Sequence, residues 1–210
     1  SLYVVVTIDI DGTSVNGSFT FSTVKYAKQL LDMNAVTETE KNLAKDMLAY
    51  VRSAYAYFND GEEVAEINAI LGDYESDTVI NTSDAKLDVD GLSGATFVLG
   101  ARPAIRFYLS GEYTVDKFSF KVGTRALSAN EANLGSDADG NYIEFTLYAY
   151  EMTEVFSYEI ADTEISGEYN LVAYYEGTLD MNDAALTDVV TKFYNYCDSA
   201  KAYKVAVTAK

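Results

Sequence analysis

Met47-Leu-Ala-Tyr-Val-Arg-Ser-Ala-Tyr-Ala-Tyr-Phe58 returns near the other end of the chain as Phe193-Tyr-Asn-Tyr-Cys-Asp-Ser-Ala-Lys-Ala-Tyr-Lys204. Aligned without a gap, the two stretches share Tyr50/Tyr196, Ser53/Ser199, Ala54/Ala200, Ala56/Ala202 and Tyr57/Tyr203. A second echo lies upstream of each, where Leu31-Asp-Met-Asn34 recurs letter for letter as Leu179-Asp-Met-Asn182, downstream of Tyr26 and Tyr174 respectively. Self-similarity of this kind points to an internally duplicated chain, two related units that each end in a helix burying tyrosines and small residues. The pairs Ser53-Ala54 and Ser199-Ala200 allow a neighbouring element to approach closely, and tyrosine buries its ring while keeping its hydroxyl bonded.

Outward from the first copy, Thr37 with Glu40 is a capping box that opens the helix. Leu43, Met47, Tyr50, Val51, Ala54, Tyr57 and Phe58 form its apolar stripe, and Asp60-Gly61 closes it. A short helix follows over 62–71. Upstream, Leu2 to Ile10 is rich in β-branched residues, and Asp11-Gly12 and Asn16-Gly17 are turn signals before Ser18-Phe-Thr-Phe21, giving a strand, a turn and a second strand. From Val24 the period becomes helical, with Val24, Ala27, Leu30 and Leu31 on one face and an end near Met33.

Residues 72–90 are polar and turn-rich, a crossing segment. Strand signals then come at 95–99, 104–109, 117–122, 142–148 and 155–160, with Phe118/Phe120/Val122 and Ile143/Phe145/Leu147 each on one face. Residues 169–174 and a helix from about Asp183 to Lys204 repeat the opening unit in outline; the helix stripe is Leu186, Val189, Val190, Phe193, Tyr196, Ala200 and Tyr203. The expected fold is α+β: an internally duplicated, antiparallel sheet or sandwich with amphipathic helices packed against it. A β-hairpin plus helical unit occupies 1–85, and an antiparallel β unit closed by a C-terminal helix occupies 86–210, together forming one assembly.

With 15 Lys+Arg against 33 Asp+Glu, the 210-residue chain carries a formal charge of −18. That field repels a phosphate backbone and an anionic lipid surface, so neither nucleic acid nor membrane insertion is expected. The single cysteine, Cys197, excludes an internal disulfide; it stands where the other copy has Val51 and reads as a small core residue. No signal peptide, lipidation signal or long apolar run is present in the sequence, and a chain starting at Ser1 reads as a piece of something larger.

Histidine is absent, which removes His-based acid–base catalysis, Ser-His and Cys-His nucleophile pairs and His-bearing zinc or iron sites. Paired acids such as Glu144 with Glu151 or Glu154 arise by chance in so acidic a chain, and Ser199-Ala-Lys201 lies on a core helix. No catalytic residue, cofactor or dedicated metal ligand is expected. Three D-x-D-G stretches, at Asp9, Asp88 and Asp137, look like calcium loops but lack the first Asp and the terminal Glu of an EF-hand. They read as Asp-Gly turns, with an irregular Ca²⁺ site at Asp137/Asp139 as the alternative.

The order of segments resembles a repeated module of large secreted, multi-domain surface proteins of Gram-positive gut bacteria. The hairpin ending Phe19-Thr-Phe-Ser22 before Tyr26-Ala27, the Leu48-to-Phe58 helix, Gly94–Leu99 leading to Ala104–Tyr108, and the closing helix of tyrosines and alanines carry the resemblance. It implies an extracellular, cell-surface location and an adhesin-type role, some such proteins binding host proteins, immunoglobulins included. No catalytic residue comes with it. The expected function is therefore a non-catalytic binding module for an extracellular host protein; a carbohydrate-binding module and a structural spacer are the alternatives. Tyr148, Tyr150, Tyr158, Tyr174 and Tyr175 are the candidate binding residues, because alternation does not place all of them inside.

Overall fold

The computed structural model describes residues 2–10, 13–58, 62–76, 78–100 and 102–209, with backbone alone at 2–10, 13–21, 23 and 62–63. Strands β1 (Leu2–Ile10) and β2 (Thr13–Phe21) pair antiparallel from Leu2↔Phe21 to Ile10↔Thr13. Asn16 and Gly17 lie inside β2 opposite Thr7 and Val6, so this dipeptide is not the turn expected from it. The chain has already reversed before Thr13, and an Asn-Gly pair has no second reversal to make. The expected turn at Asp11-Gly12 and the helix stop at Asp60-Gly61 fall outside the described residues.

Helices α1 (Thr23–Asp32), α2 (Glu38–Phe58) and α3 (Glu62–Leu71) follow. The capping box forms as expected: the Thr37 N–H donates to the Glu40 carboxylate at 2.8 Å and the Glu40 N–H to Thr37 Oγ1 at 3.3 Å. Val24 and Ala27 of α1, Ala44, Leu48 and Ala49 of α2, and Ile67 and Leu71 of α3 form a small core of their own. This corrects the single stripe expected for α2. The helix is sandwiched, with Ala44 and Leu48 toward α1 and α3 and Tyr50 toward the main core, while Phe58 is exposed.

The middle of the chain builds two antiparallel sheets. One has the order β3 (Leu87–Asp88), β11 (Ser166–Tyr169), β10 (Phe156–Ile160), β6 (Phe118–Val122), β7 (Arg125–Leu127). The other runs β4 (Leu92–Val98), β5 (Ala104–Leu109), β9 (Gly140–Thr146), β8 (Ala132–Asp137). Alternation sends Ile105, Phe107, Ile143 and Phe145 to one face of the second sheet, and Phe120, Val122, Phe156 and Tyr158 to the facing side of the first. The faces interlock through rings, Phe107 to Phe120 at 4.9 Å, Phe120 to Phe145 at 5.2 Å and Phe97 to Phe156 at 5.8 Å between centroids. Each such fully buried ring contributes roughly 1.5–3 kcal/mol by leaving water, so this layer dominates the core.

Helix α4 (Leu171–Asp180) stands where the sequence was read only as a repeat of the opening segment. Asn170 starts it: its side chain accepts from the Ala173 N–H at 3.0 Å, and its amide donates to the Asp84 carbonyl at 2.9 Å. Asn182, in the left-handed region at φ 54°, turns the chain into α5 (Ala184–Thr208), whose N-cap Asp183 accepts from Ala185 and Leu186. Val189, Val190, Phe193 and Cys197 of α5 close the sandwich core.

The fold is thus α+β, with five helices, a two-stranded hairpin and two larger antiparallel sheets among the described residues. Both ends run hairpin, ten-residue helix, long helix: β1–β2–α1–α2 and β10–β11–α4–α5. That shared order does not by itself show duplication. No helix among the described residues is long and apolar enough to cross a membrane.

Candidate binding cleft

The chain leaves β9 at Thr146 and turns back along α5. The Leu147 N–H donates to the Pro103 carbonyl at 3.1 Å, and a 3-10 turn covers Ala149–Glu151. Glu151 fixes this turn from both ends: its backbone N–H donates to the Tyr148 carbonyl at 2.9 Å, and its Oε2 accepts from the Tyr148 N–H at 3.2 Å. Its other oxygen, Oε1, accepts from Arg125 Nε at 2.8 Å, and Arg125 Nη1 reaches Glu131 Oε1 at 2.8 Å. The Glu151 hydrogen bond holds Arg125 more firmly cationic than usual; the Ser128 backbone N–H first, and Arg125 after it, hold Glu131 below the usual carboxylate range.

The turn projects two tyrosines. Tyr148 and Tyr150 stack with ring centroids 5.3 Å apart and planes 7° from parallel. Lys204 Nζ lies over the Tyr150 ring, 5.4 Å from its centroid. Tyr148 is 68% exposed. Partial burial, then the nearby Glu151 charge, pushes the Tyr150 hydroxyl up, so it stays protonated at neutral pH. Arg102, Arg125, Tyr196 and the two tyrosines line an open cleft of about 740 Å³, within the range of small-ligand sites.

Of the five candidate tyrosines, then, Tyr148 and Tyr150 come together. Tyr158 is a core residue instead, 1% exposed, donating its hydroxyl to the Asp90 carbonyl. The period-two pattern of β10 explains this, since Phe156, Tyr158 and Ile160 face in while Ser157 and Glu159 face out. Tyr174 is half-buried against Phe97 at 5.7 Å, with its hydroxyl pushed up by burial, and Tyr175 is half-buried beside it. Neither reaches the cleft.

Sequence reasoning missed three contributors. Tyr196 was assigned wholly to the core stripe, yet it is half-buried and lines the cleft. Arg102 and Arg125 are far apart in sequence, and no local pattern links them.

The acids of the sequence reading are all occupied. Glu144 accepts from Arg106 at 2.6 Å, Glu151 from Arg125, and Glu154 pairs with Lys201 at 2.7 Å, so each has its own cation. Ser199 donates to Asp46 rather than engaging Lys201. Asp137 accepts from Arg106 at 3.1 Å and Tyr108 at 3.0 Å through one oxygen, and from the Asp139 N–H at 2.9 Å through the other. Gly91, at φ 76°, sits in the left-handed region that an Asp-Gly turn requires. No cluster of three or more metal-ligating side chains occurs among the described residues.

Fold and site together define an α+β protein in which a helix-backed β-sandwich carries an open, aromatic-floored cleft at one sheet end. Comparison with protein-family models, curated proteins and solved structures finds no match to this chain.

Proposed function

We propose that the protein is a non-catalytic, extracellular binding module of a bacterial surface protein, and that the Tyr148 ledge is its contact surface. The extracellular address rests on the resemblance of the hairpin, helix and strand segments quoted above. The binding role rests on one observation: a ring 68% exposed and stacked on a second ring at a cleft. A side chain so poorly buried adds little to stability, yet Glu151 and Arg125 hold its turn rigid.

A cleft, rather than a flat apolar patch, favours a glycan as ligand, the sugar ring lying on Tyr148 with its hydroxyls toward the polar walls. A protein partner, ranked first from sequence, is the second reading, because an exposed tyrosine also gives large contact area at low entropic cost.

Titration of the protein and its Tyr148→Ala variant against a glycan panel, and against secreted host proteins including immunoglobulins, tests both. Saturable glycan binding lost in the variant, with an unchanged circular-dichroism melt, is the expected result. A protein hit lost in the variant replaces the glycan by the second reading. Silence from the folded protein on both panels rejects the binding role in favour of a spacer.

A further inference from the structure

The sequence holds four arginines, Arg52, Arg102, Arg106 and Arg125, in a chain with more than twice as many acids as bases. Arg52 pairs with Glu75 at 3.2 Å, Arg106 with Glu144 and Asp137 at 2.6 and 3.1 Å, and Arg125 with Glu151 and Glu131, both at 2.8 Å. Arg102 alone has no side-chain hydrogen bond or ion pair among the described residues, and it is exposed on the wall of the cleft.

The surroundings reinforce the point. The two acids lining the cleft, Glu131 and Glu151, are both consumed by Arg125 and by backbone N–H groups. The charged lining of the cleft is Arg102 and Arg125 against Glu131 and Glu151, a formal balance of zero, whereas the chain as a whole stands at −18. In a chain whose net charge repels anions, this cleft is locally neutral and holds the unpaired Arg102 beside the exposed ring.

We infer that the ligand is an anionic saccharide whose carboxylate or sulfate is received by Arg102 while the neighbouring sugar ring lies on Tyr148. This rests on the glycan reading above. Guanidinium presents paired N–H donors in a plane that matches a carboxylate or sulfate, and such charged pairs are the stronger class of hydrogen bond. The group discriminates by charge, the ring by shape.

Calorimetric titration of matched pairs tests it: trigalacturonic acid against galactotriose, 3′-sialyllactose against lactose, and heparin disaccharide against its desulfated form. The three arms separate uronate, sialate and sulfate as the source of the anion. The expected result is binding of at least one acidic member about 10- to 100-fold tighter than its neutral counterpart, weakening with added salt. Arg102→Gln should remove that preference, the acidic and neutral members of the pair then binding alike. Arg102→Lys, which keeps the charge and loses the planar fork, should retain part of it. Equal affinity for both members of every pair, or an Arg102→Gln variant that still prefers the acid, overturns the anionic assignment and leaves the glycan reading standing. No binding of any saccharide by the folded protein overturns both.

Discussion

Tyr50 and Tyr196, counterparts in the sequence echo, stack on one another across the α2–α5 contact with centroids 6.1 Å apart and planes 2° from parallel. Phe193 closes on the same Tyr50 ring at 5.1 Å. The shared letters thus do more than mark two similar helices, because they meet. Tyr50→Ala should destabilise the fold by about 3–5 kcal/mol through the cavity it leaves. In a double-mutant cycle with Tyr196→Ala, the ring pair should show a coupling of about 0.5–1.5 kcal/mol by urea unfolding. Strict additivity would mean that the stack contributes area and nothing specific.

The serines of the echo also cross between these helices. Ser199 Oγ donates to Asp46, and Ser53 Oγ donates to Asp188. Asp46 is buried and also accepts from the Tyr74 hydroxyl at 2.8 Å, whereas Asp188 is exposed. Water replaces a lost donor at Asp188 but not at Asp46. Ser199→Ala should therefore cost about 1–3 kcal/mol and Ser53→Ala clearly less. Equal losses in denaturant midpoint would show that burial of the acceptor is irrelevant.

The sequence made elements legible wherever one face alone meets the core. Phe118/Phe120/Val122 and Ile143/Phe145/Leu147 announce their strands by period, and Thr37/Glu40 announces a helix start. Strand β8, Ala132–Asp137, was missed because its side chains are mostly exposed and its Gly135 gives way to the Tyr142 ring. Strand β11 was missed because Gly167 stands where a Cβ would collide with the Asp88 carbonyl and Tyr158. A strand made thin to admit a neighbour loses the bulky alternation that marks it. The cleft was half legible: Tyr148 and Tyr150 are close in sequence, while Arg102 joins them through the pairing of β5 with β9, and Arg125, on the other sheet, through its ion pair with Glu151.

Burial pushes the hydroxyls of Tyr50, Tyr158 and Tyr169 well up from their ordinary value of 10.0; for Tyr158 the charges of Asp88 and Asp90 add to it. A folded value raised above the unfolded one gives stability that is complete below about pH 10 and falls as the pH rises further. The expected outcome is alkaline unfolding in which these three rings ionise only as the fold is lost. Ultraviolet difference absorbance of tyrosinate, followed beside circular dichroism, checks it. Full ionisation of every tyrosine with the far-ultraviolet signal intact would contradict the buried placement.

Glu75 links the two long helices from the loop after α3, accepting from Lys192 of α5 and from Arg52 of α2 at 3.2 Å. The Lys192 hydrogen bond is the main reason its carboxyl lies below the ordinary 4.5. A lowered value contributes stability that is present above the unfolded pKa and lost as pH falls through the folded one. Glu75→Gln should therefore destabilise at neutral pH, the gap to the parent closing as the pH falls below about 4. The Glu75 side chain is 62% exposed, so solvent screens its share, but Lys192 is only 11% exposed and is left without its carboxylate partner. The loss should accordingly exceed that of Lys28→Gln, which breaks the exposed Lys28–Asp32 pair on α1. Thermal melts of both variants between pH 3 and 7 read the comparison; a pH-independent gap for Glu75→Gln would show that the carboxylate's charge plays no part in holding α2 to α5.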